Sequence, residues 1–207
     1  MLSFDTPLPS LENADYMFQS CSGLKTFYGY EDLGSLRSAI GMFKNCRSLT
    51  SFECDIPYLR VANEMFYYCR SLSSFCQDLG NLVTSDRMFE RCKNLNRIKS
   101  TSDMHSLVSA REMFKDCFQY GYSSYYSYSY GGGQYDFDGG VMSNLLSGEN
   151  MFQNCYRLTS MRAAMTALEI GENMFRGLRY LKVFTDYGLN AGTSNFSYNL
   201  GQVPKGN

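Results

Sequence analysis

The chain has 207 residues, enough for one domain with a substantial core. Its 19 basic and 20 acidic residues give a formal net charge of −1, so no basic surplus indicates a nucleic-acid partner. No apolar run approaches the roughly 18 residues of a membrane span, and residues 1–7 lack the basic and apolar regions of a secretory signal. The sequence therefore predicts neither membrane insertion nor a signal peptide.

A repeated motif runs along nearly the whole chain. The dipeptide Met-Phe recurs at intervals of 25, 23, 23, 25, 38 and 23 residues. Its seven methionines are Met17, Met42, Met65, Met88, Met113, Met151 and Met174. A Leu stands six residues before each Met, and a Cys follows four residues after six of the seven. The full unit, L-x-x-[A/S/G]-x-x-M-F-x-x-C-x-x-L-x-x-[F/I/M], predicts tandem structural repeats.

The spacing within the unit indicates a coil with flat sides. An apolar residue at every third position stays on the inside of such a coil, whereas an α-helix of 3.6 residues per turn would drift out of phase. One coil cannot bury its inward side chains, but stacked coils can. We therefore expect a right-handed solenoid of about seven 23–25-residue turns over residues 1–187. Each turn is predicted to hold a short helical turn at Met-Phe-x-x-Cys and a short strand at Leu-x-x-Phe.

This motif resembles the BspA-like leucine-rich repeats, in the variant with the signature Met-Phe-x-x-Cys-x-x-Leu. The resemblance covers about residues 11–187 and implies a leucine-rich-repeat-like solenoid used for adhesion or recognition. Such repeats are associated with surface proteins of bacteria and protists and with phage proteins, so the resemblance implies a location on a cell surface or a virion. It supplies no catalytic residues and no cofactor.

The interval of 38 residues marks an insertion at about residues 119–140, rich in Tyr, Gly and Ser. This composition is typical of antibody paratopes, where Tyr provides large amphipathic contacts, although a low-complexity linker is the alternative. Six tyrosines here are candidate binding residues: Tyr122, Tyr125, Tyr126, Tyr128, Tyr130 and Tyr135. Residues 188–207 leave the repeat and are predicted to form a C-terminal cap or tail.

The Cys column is predicted to be a line of buried thiols. Leu178 occupies the same position in the last repeat, and Leu replaces a buried apolar thiol but not a metal ligand. Counted from the inward strand residues Phe52 and Phe75, Cys54 is predicted to point inward and Cys76 outward. The single His105 is interpreted as structural or exposed, and the segment from Asp136 to Gly139 lacks most ligands of a calcium loop. The sequence thus predicts no metal, no cofactor and no enzymatic activity.

Outward side chains of the strands are the remaining candidates for a binding surface. They include Tyr28, Glu53, Arg97, Lys99 and Arg162, and their mixed charge favours a protein or glycan partner. The alternative function is a structural component of a tailed bacteriophage virion, in contact with neighbouring subunits. Since the repeat begins by residue 11, little chain is left for an N-terminal cap, and we expect a neighbouring chain or further sequence there.

Overall fold

Each turn of the chain contributes one short strand to a parallel β-solenoid in the computed structural model, which describes residues 2–4, 6–28, 33–119 and 136–186. The strands are β1 Leu2–Phe4, β2 Leu24–Tyr28, β3 Ser51–Glu53, β4 Ser74–Gln77, β5 Arg97–Ser100, β6 Asp136–Val141, β7 Ser160–Ala164 and β8 Val183–Asp186. The described residues form no helix, so they include none that could cross a membrane.

Strands of successive coils pair in parallel and in register. They form a three-stranded sheet, β1-β2-β3, and a five-stranded sheet, β4-β5-β6-β7-β8. On the opposite side of each coil, one residue bridges to the next coil, and this bridge column comprises Asn13, Ser38, Val61, Thr84, Ser109, Ser147 and Ile170. Six complete turns lie between its ends, and the seventh Met-Phe segment follows. The predicted solenoid, with strands at Leu-x-x-Phe, is confirmed.

The predicted helical turn at Met-Phe-x-x-Cys is wrong, because this segment is a run of tight turns. In the second coil the N–H groups of Met42, Lys44 and Cys46 close turns onto carbonyls three residues back. The N–H groups of Gly41, Phe43 and Asn45 point away and bond to carbonyls of the third coil. Half of the N–H groups therefore leave the segment, whereas an α-helix keeps its N–H groups within itself.

Alternation between the two bonding directions requires left-handed backbone at two positions of every turn segment. These are the residues before Met and three after it, for example Gly41 (φ 56°) and Asn45 (φ 64°). Glycine and asparagine tolerate this conformation, but Glu64 and Tyr68 adopt it in the next coil. A side chain there costs roughly 1–2 kcal/mol. The hydrogen bonds between coils offset that cost.

Two aromatic ladders fill the core. The Phe of each Met-Phe pair stacks on its counterpart one coil away, with ring centroids 5.4 Å apart for Phe43–Phe66 and 5.5 Å for Phe66–Phe89. The strand phenylalanines form the second ladder and meet the first edge-on, as Phe75 does with Phe89 at 5.0 Å. Offset and edge-on pairs are each worth about 0.5–1.5 kcal/mol beyond burial. The ladders therefore favour a single register between coils.

The Cys column is buried from Cys46 onward, and each thiol is used as a donor. The Sγ atom of each column Cys lies 2.7–3.0 Å from the carbonyl of the Met-Phe phenylalanine in the preceding coil, as in Cys69 to Phe43 and Cys92 to Phe66. Burial raises the pKa of Cys46 to about 12, so these thiols stay protonated. Cys54 is buried and Cys76 exposed, as predicted.

Cys21 is an exception to the predicted burial, because it lies in the first coil and has no preceding coil to donate to. At this edge β1 pairs with β2, and Phe4 stacks on Phe27 at 5.3 Å. Beside this strand, Tyr16 and Met17 remain 50% and 45% exposed. The N-terminal strand therefore covers only the strand side of the first coil.

The insertion is shorter than predicted. Residues 136–141 form β6, which lies between β5 and β7 with Phe137 in the core. At the other boundary, Phe118 is fully buried and packs beside Phe114, where the fifth repeat has no Leu of its own. Within the predicted bounds of about 119–140, residues 136–140 therefore belong to a strand of the solenoid. The segment between Gln119 and Asp136, with its six candidate tyrosines, lies outside the described residues, as does the predicted cap at 188–207.

We predict that Phe75→Ala destabilises the protein by about 3–5 kcal/mol, because it removes a buried ring that stacks in the strand ladder and meets the other ladder edge-on. The matched variant Ser74→Ala, at an exposed neighbour, should change the free energy of unfolding by no more than about 0.5 kcal/mol. Chemical denaturation measures both, and equal midpoints would contradict the inward phase assigned to Phe75.

We predict that a thiol reagent at about pH 8 modifies two of the eight cysteines in the native protein, Cys21 and Cys76. The remaining thiols are buried, and burial raises their pKa, so little reactive thiolate forms. Denaturation should release six more. Cys76→Ser should lower the number of thiols that react in the native protein by one. The number released by denaturation should stay at six. Stoichiometric zinc, or disulfides found by mass spectrometry, would contradict the buried-thiol column.

Candidate functional site

The outward side chains of the five-stranded sheet lie in two rows on its solvent side, which we call the strand face. Pairing aligns Ser74, Arg97, Asp136 and Ser160 in one row and Cys76, Lys99, Asp138 and Arg162 in the other. Adjacent members of a row are about 4.8 Å apart along the solenoid. Positive and negative side chains therefore alternate across β5, β6 and β7.

A shallow cavity of about 200 Å³ opens on the strand face. It is lined by Arg97, Lys99, Asp136, Asp138, Ser160 and Arg162, with Ile98 and Phe137 beneath. One oxygen of Asp136, Oδ1, is buried and has no hydrogen-bond partner among the described residues. A buried acceptor without a partner costs about 1–3 kcal/mol. Asp136 and Asp138 thus add two carboxylates to a cavity that three basic side chains also line.

The strand face brings together three of the predicted site residues. Arg97, Lys99 and Arg162 surround the cavity. Tyr28 and Glu53 are both exposed and lie in register with each other on the three-stranded sheet. That sheet does not pair with β4, so these two residues lie on the neighbouring sheet and outside the cavity lining.

Asp136 and Asp138 are functional candidates that the sequence analysis missed. They were assigned to the insertion rather than to a strand. Their pattern, polar residues on either side of Phe137, matches Arg97-Ile98-Lys99 and Ser160-Met161-Arg162. Aligning this triplet with the neighbouring strands would have identified them. Because both lie on a strand rather than in a loop, the resemblance of this segment to a calcium loop is also incidental.

His105 has neighbours that the sequence did not indicate. Its Nδ1 lies 3.1 Å from Ser143 Oγ, and its Nε2 lies 3.6 Å from Asp103 Oδ2. A catalytic Ser-His-Asp set needs an imidazole held tightly by the carboxylate in a site that excludes water. Here the His105 and Asp103 side chains are 59% and 47% exposed, and the other Asp103 oxygen accepts the N–H of Val141. The group therefore links two coils at the surface.

The turn segments carry a different surface, in which most charges are paired. Arg87 Nε lies 2.9 Å from carboxylate oxygens of both Glu90 and Glu112. Lys115 pairs with Glu112 at 2.6 Å, and Arg111 with Glu149 at 2.6 Å. Burial raises the pKa of Glu90, although the adjacent Arg87 opposes that shift. These side chains already form ion pairs within and between coils. Few of their charges therefore remain for an external partner.

Comparison with known proteins identifies one family. The model of the BspA type leucine rich repeat region matches residues 5–120 and 146–198, in six copies, which is well over half of the chain. The interval between these ranges contains the insertion. No curated protein and no solved structure matches the chain significantly.

Proposed function

The chain belongs to the family of BspA type leucine rich repeats, and on that premise we propose that it is a non-enzymatic recognition module whose strand face binds a protein partner. Repeats of this family suggest an interaction or surface module and are typically not enzymes. The proposal adds the place of contact and the class of partner. A glycan, the other class compatible with the sequence, is the alternative occupant of this face.

The mixed charge of the strand-face cavity, with three basic and two acidic side chains in its lining, carries the proposal. Lys99 and Asp138 lie side by side in register, so the surface offers donors and acceptors within a few ångströms. A polyanion would be repelled by the two aspartates, and a polycation by the basic residues. Alternating charges suit a protein surface with complementary side chains, because such patterns select the partner and fix its orientation.

The setting of this interaction is part of the proposal. We place it at a cell surface, as an adhesion contact, or on a virion. A structural component of a tailed phage, in contact with neighbouring subunits, would use the same face. Position of the gene beside tail genes would favour the virion, and position within a surface-protein locus would favour the cell.

The strand face can be tested with peptides selected from a displayed library against the immobilised full chain. We predict that Lys99→Glu and Asp138→Lys each weaken the selected peptides' binding by about tenfold or more, since each replaces an attraction with a repulsion. Arg111→Glu, a charge reversal on the turn segments, should change Kd by less than about twofold. Isothermal titration measures all three. An equal loss in Arg111→Glu, or full binding by both strand-face variants, would contradict the proposal.

The Tyr-rich insertion also stays a proposed contact, and it lies outside the described residues. Replacing residues 122–135 by a short Gly-Ser link removes six tyrosines and retains Asp136 and β6. We predict an almost unchanged melting temperature, because loop length affects stability weakly, together with weaker binding of the selected peptides. Unchanged binding would show that the insertion is a spacer, and loss of folding would show that it contributes to the core.

A further inference from the structure

A second cleft, of about 600 Å³, lies at the corner between the strands and the bridge column. We call it the corner cleft. It spans the second, third and fourth coils and is lined by Arg37, Tyr58, Arg60, Asn81, Val83 and Ser106. Its size is within the usual range for small-ligand sites, but its lining is polar, whereas most such sites are largely apolar. A ligand that matches this lining is itself polar.

The stacking of coils places two arginines together in the corner cleft. Arg37 and Arg60 occupy equivalent positions in successive coils, each directly before its bridge residue. The backbone carbonyl of Arg37 accepts the N–H groups of Arg60 and Val61, which fixes the distance between the two coils. The register of the solenoid therefore places both arginines in the lining of the same cleft.

Arg37 is further oriented by Tyr58. The guanidinium carbon lies 4.7 Å from the centre of the Tyr58 ring, and Nη1 donates to the Tyr58 carbonyl at 3.4 Å. A second bond holds the rim, since Asn81 Nδ2 donates to the carbonyl of Pro57 at 2.9 Å. Tyr58 itself is 51% exposed. The cleft therefore combines a pre-oriented cation with an open aromatic surface.

The described lining of the corner cleft contains two arginines and no acidic residue. Among the described residues, no carboxylate pairs with the guanidinium of Arg37 or Arg60. On the turn segments, by contrast, Arg87, Arg91 and Arg111 each pair with at least one carboxylate. Two adjacent unpaired guanidinium groups repel each other, and an anion placed between them would remove that repulsion.

We propose that the corner cleft binds an oligosaccharide bearing an anionic group, either a sulfate ester or a carboxylate. The planar fork of arginine matches the paired oxygens of both groups. The exposed Tyr58 ring offers a flat apolar surface against which a sugar ring packs, and Ser106 and Asn81 provide polar groups for its hydroxyls. This site is separate from the strand face, and the proposal does not depend on the protein partner proposed there.

The test is isothermal titration of the full chain with three tetrasaccharides: a sulfated heparin fragment, an unsulfated oligogalacturonate and neutral maltotetraose. We expect the anionic sugars to bind and maltotetraose not to bind, and the tighter of the first two identifies the group. Arg60→Gln and Arg37→Gln should each raise Kd by about tenfold, as expected for loss of a charge-assisted hydrogen bond.

Two matched variants remove the same charge elsewhere. Arg111→Gln reports the effect of net charge, and Arg97→Gln reports binding at the strand face; both should change Kd by less than about twofold. The proposal is overturned if neither anionic sugar binds, if maltotetraose binds equally well, or if either matched variant weakens binding as much as Arg60→Gln. Equal binding of tetraglutamate, lost in Arg60→Gln, would overturn the assignment to a sugar.

Discussion

Hydrogen bonding between the turn segments of neighbouring coils is the constraint on which the rest of this structure depends. Alternate N–H groups of each segment, such as those of Gly41, Phe43 and Asn45, reach carbonyls of the next coil. Without that coil, these N–H groups would lose their hydrogen-bond partners. The free-energy cost of the left-handed residues beside them would then not be offset. Each coil is therefore stable only in the stack, and the stack permits a single register. The Phe ladders and the thiol-to-carbonyl bonds then repeat with the same period.

A fixed register turns single residues into columns, and the columns give each face its chemistry. On the turn segments, opposite charges in adjacent coils meet and pair, as Arg87 does with Glu112. On the strand face, basic and acidic side chains together line a cavity. At the corner, two arginines line one cleft, and no carboxylate among the described residues pairs with either. Three surfaces with different arrangements of charge thus arise from one repeat, because only the variable positions differ between them.

The insertion shows how such a stack accommodates extra chain. Its two flanks belong to one coil, where Phe118 and Phe137 both occupy the core. The pairing of β5 with β6 and of β6 with β7 continues the sheet across this point. Additional residues can therefore be attached without interrupting the ladders on either side. The same strand pairing brings Asp136 and Asp138 between two basic strands, where they complete the strand-face cavity.

The sequence by itself determined which side chains are inside. A strict period in Met, Phe, Cys and Leu identifies the columns, because inward positions tolerate few residue types, and the same argument assigned Cys54 inward and Cys76 outward. It did not determine the backbone of the turn segments or the burial of Cys21, because both depend on hydrogen-bond partners in an adjacent coil. The sequence also did not reveal that Arg37 and Arg60 line one cleft, or that Asp136 lies on a strand. Outward positions carry no periodic signal, so only the stacked structure decided which of them meet.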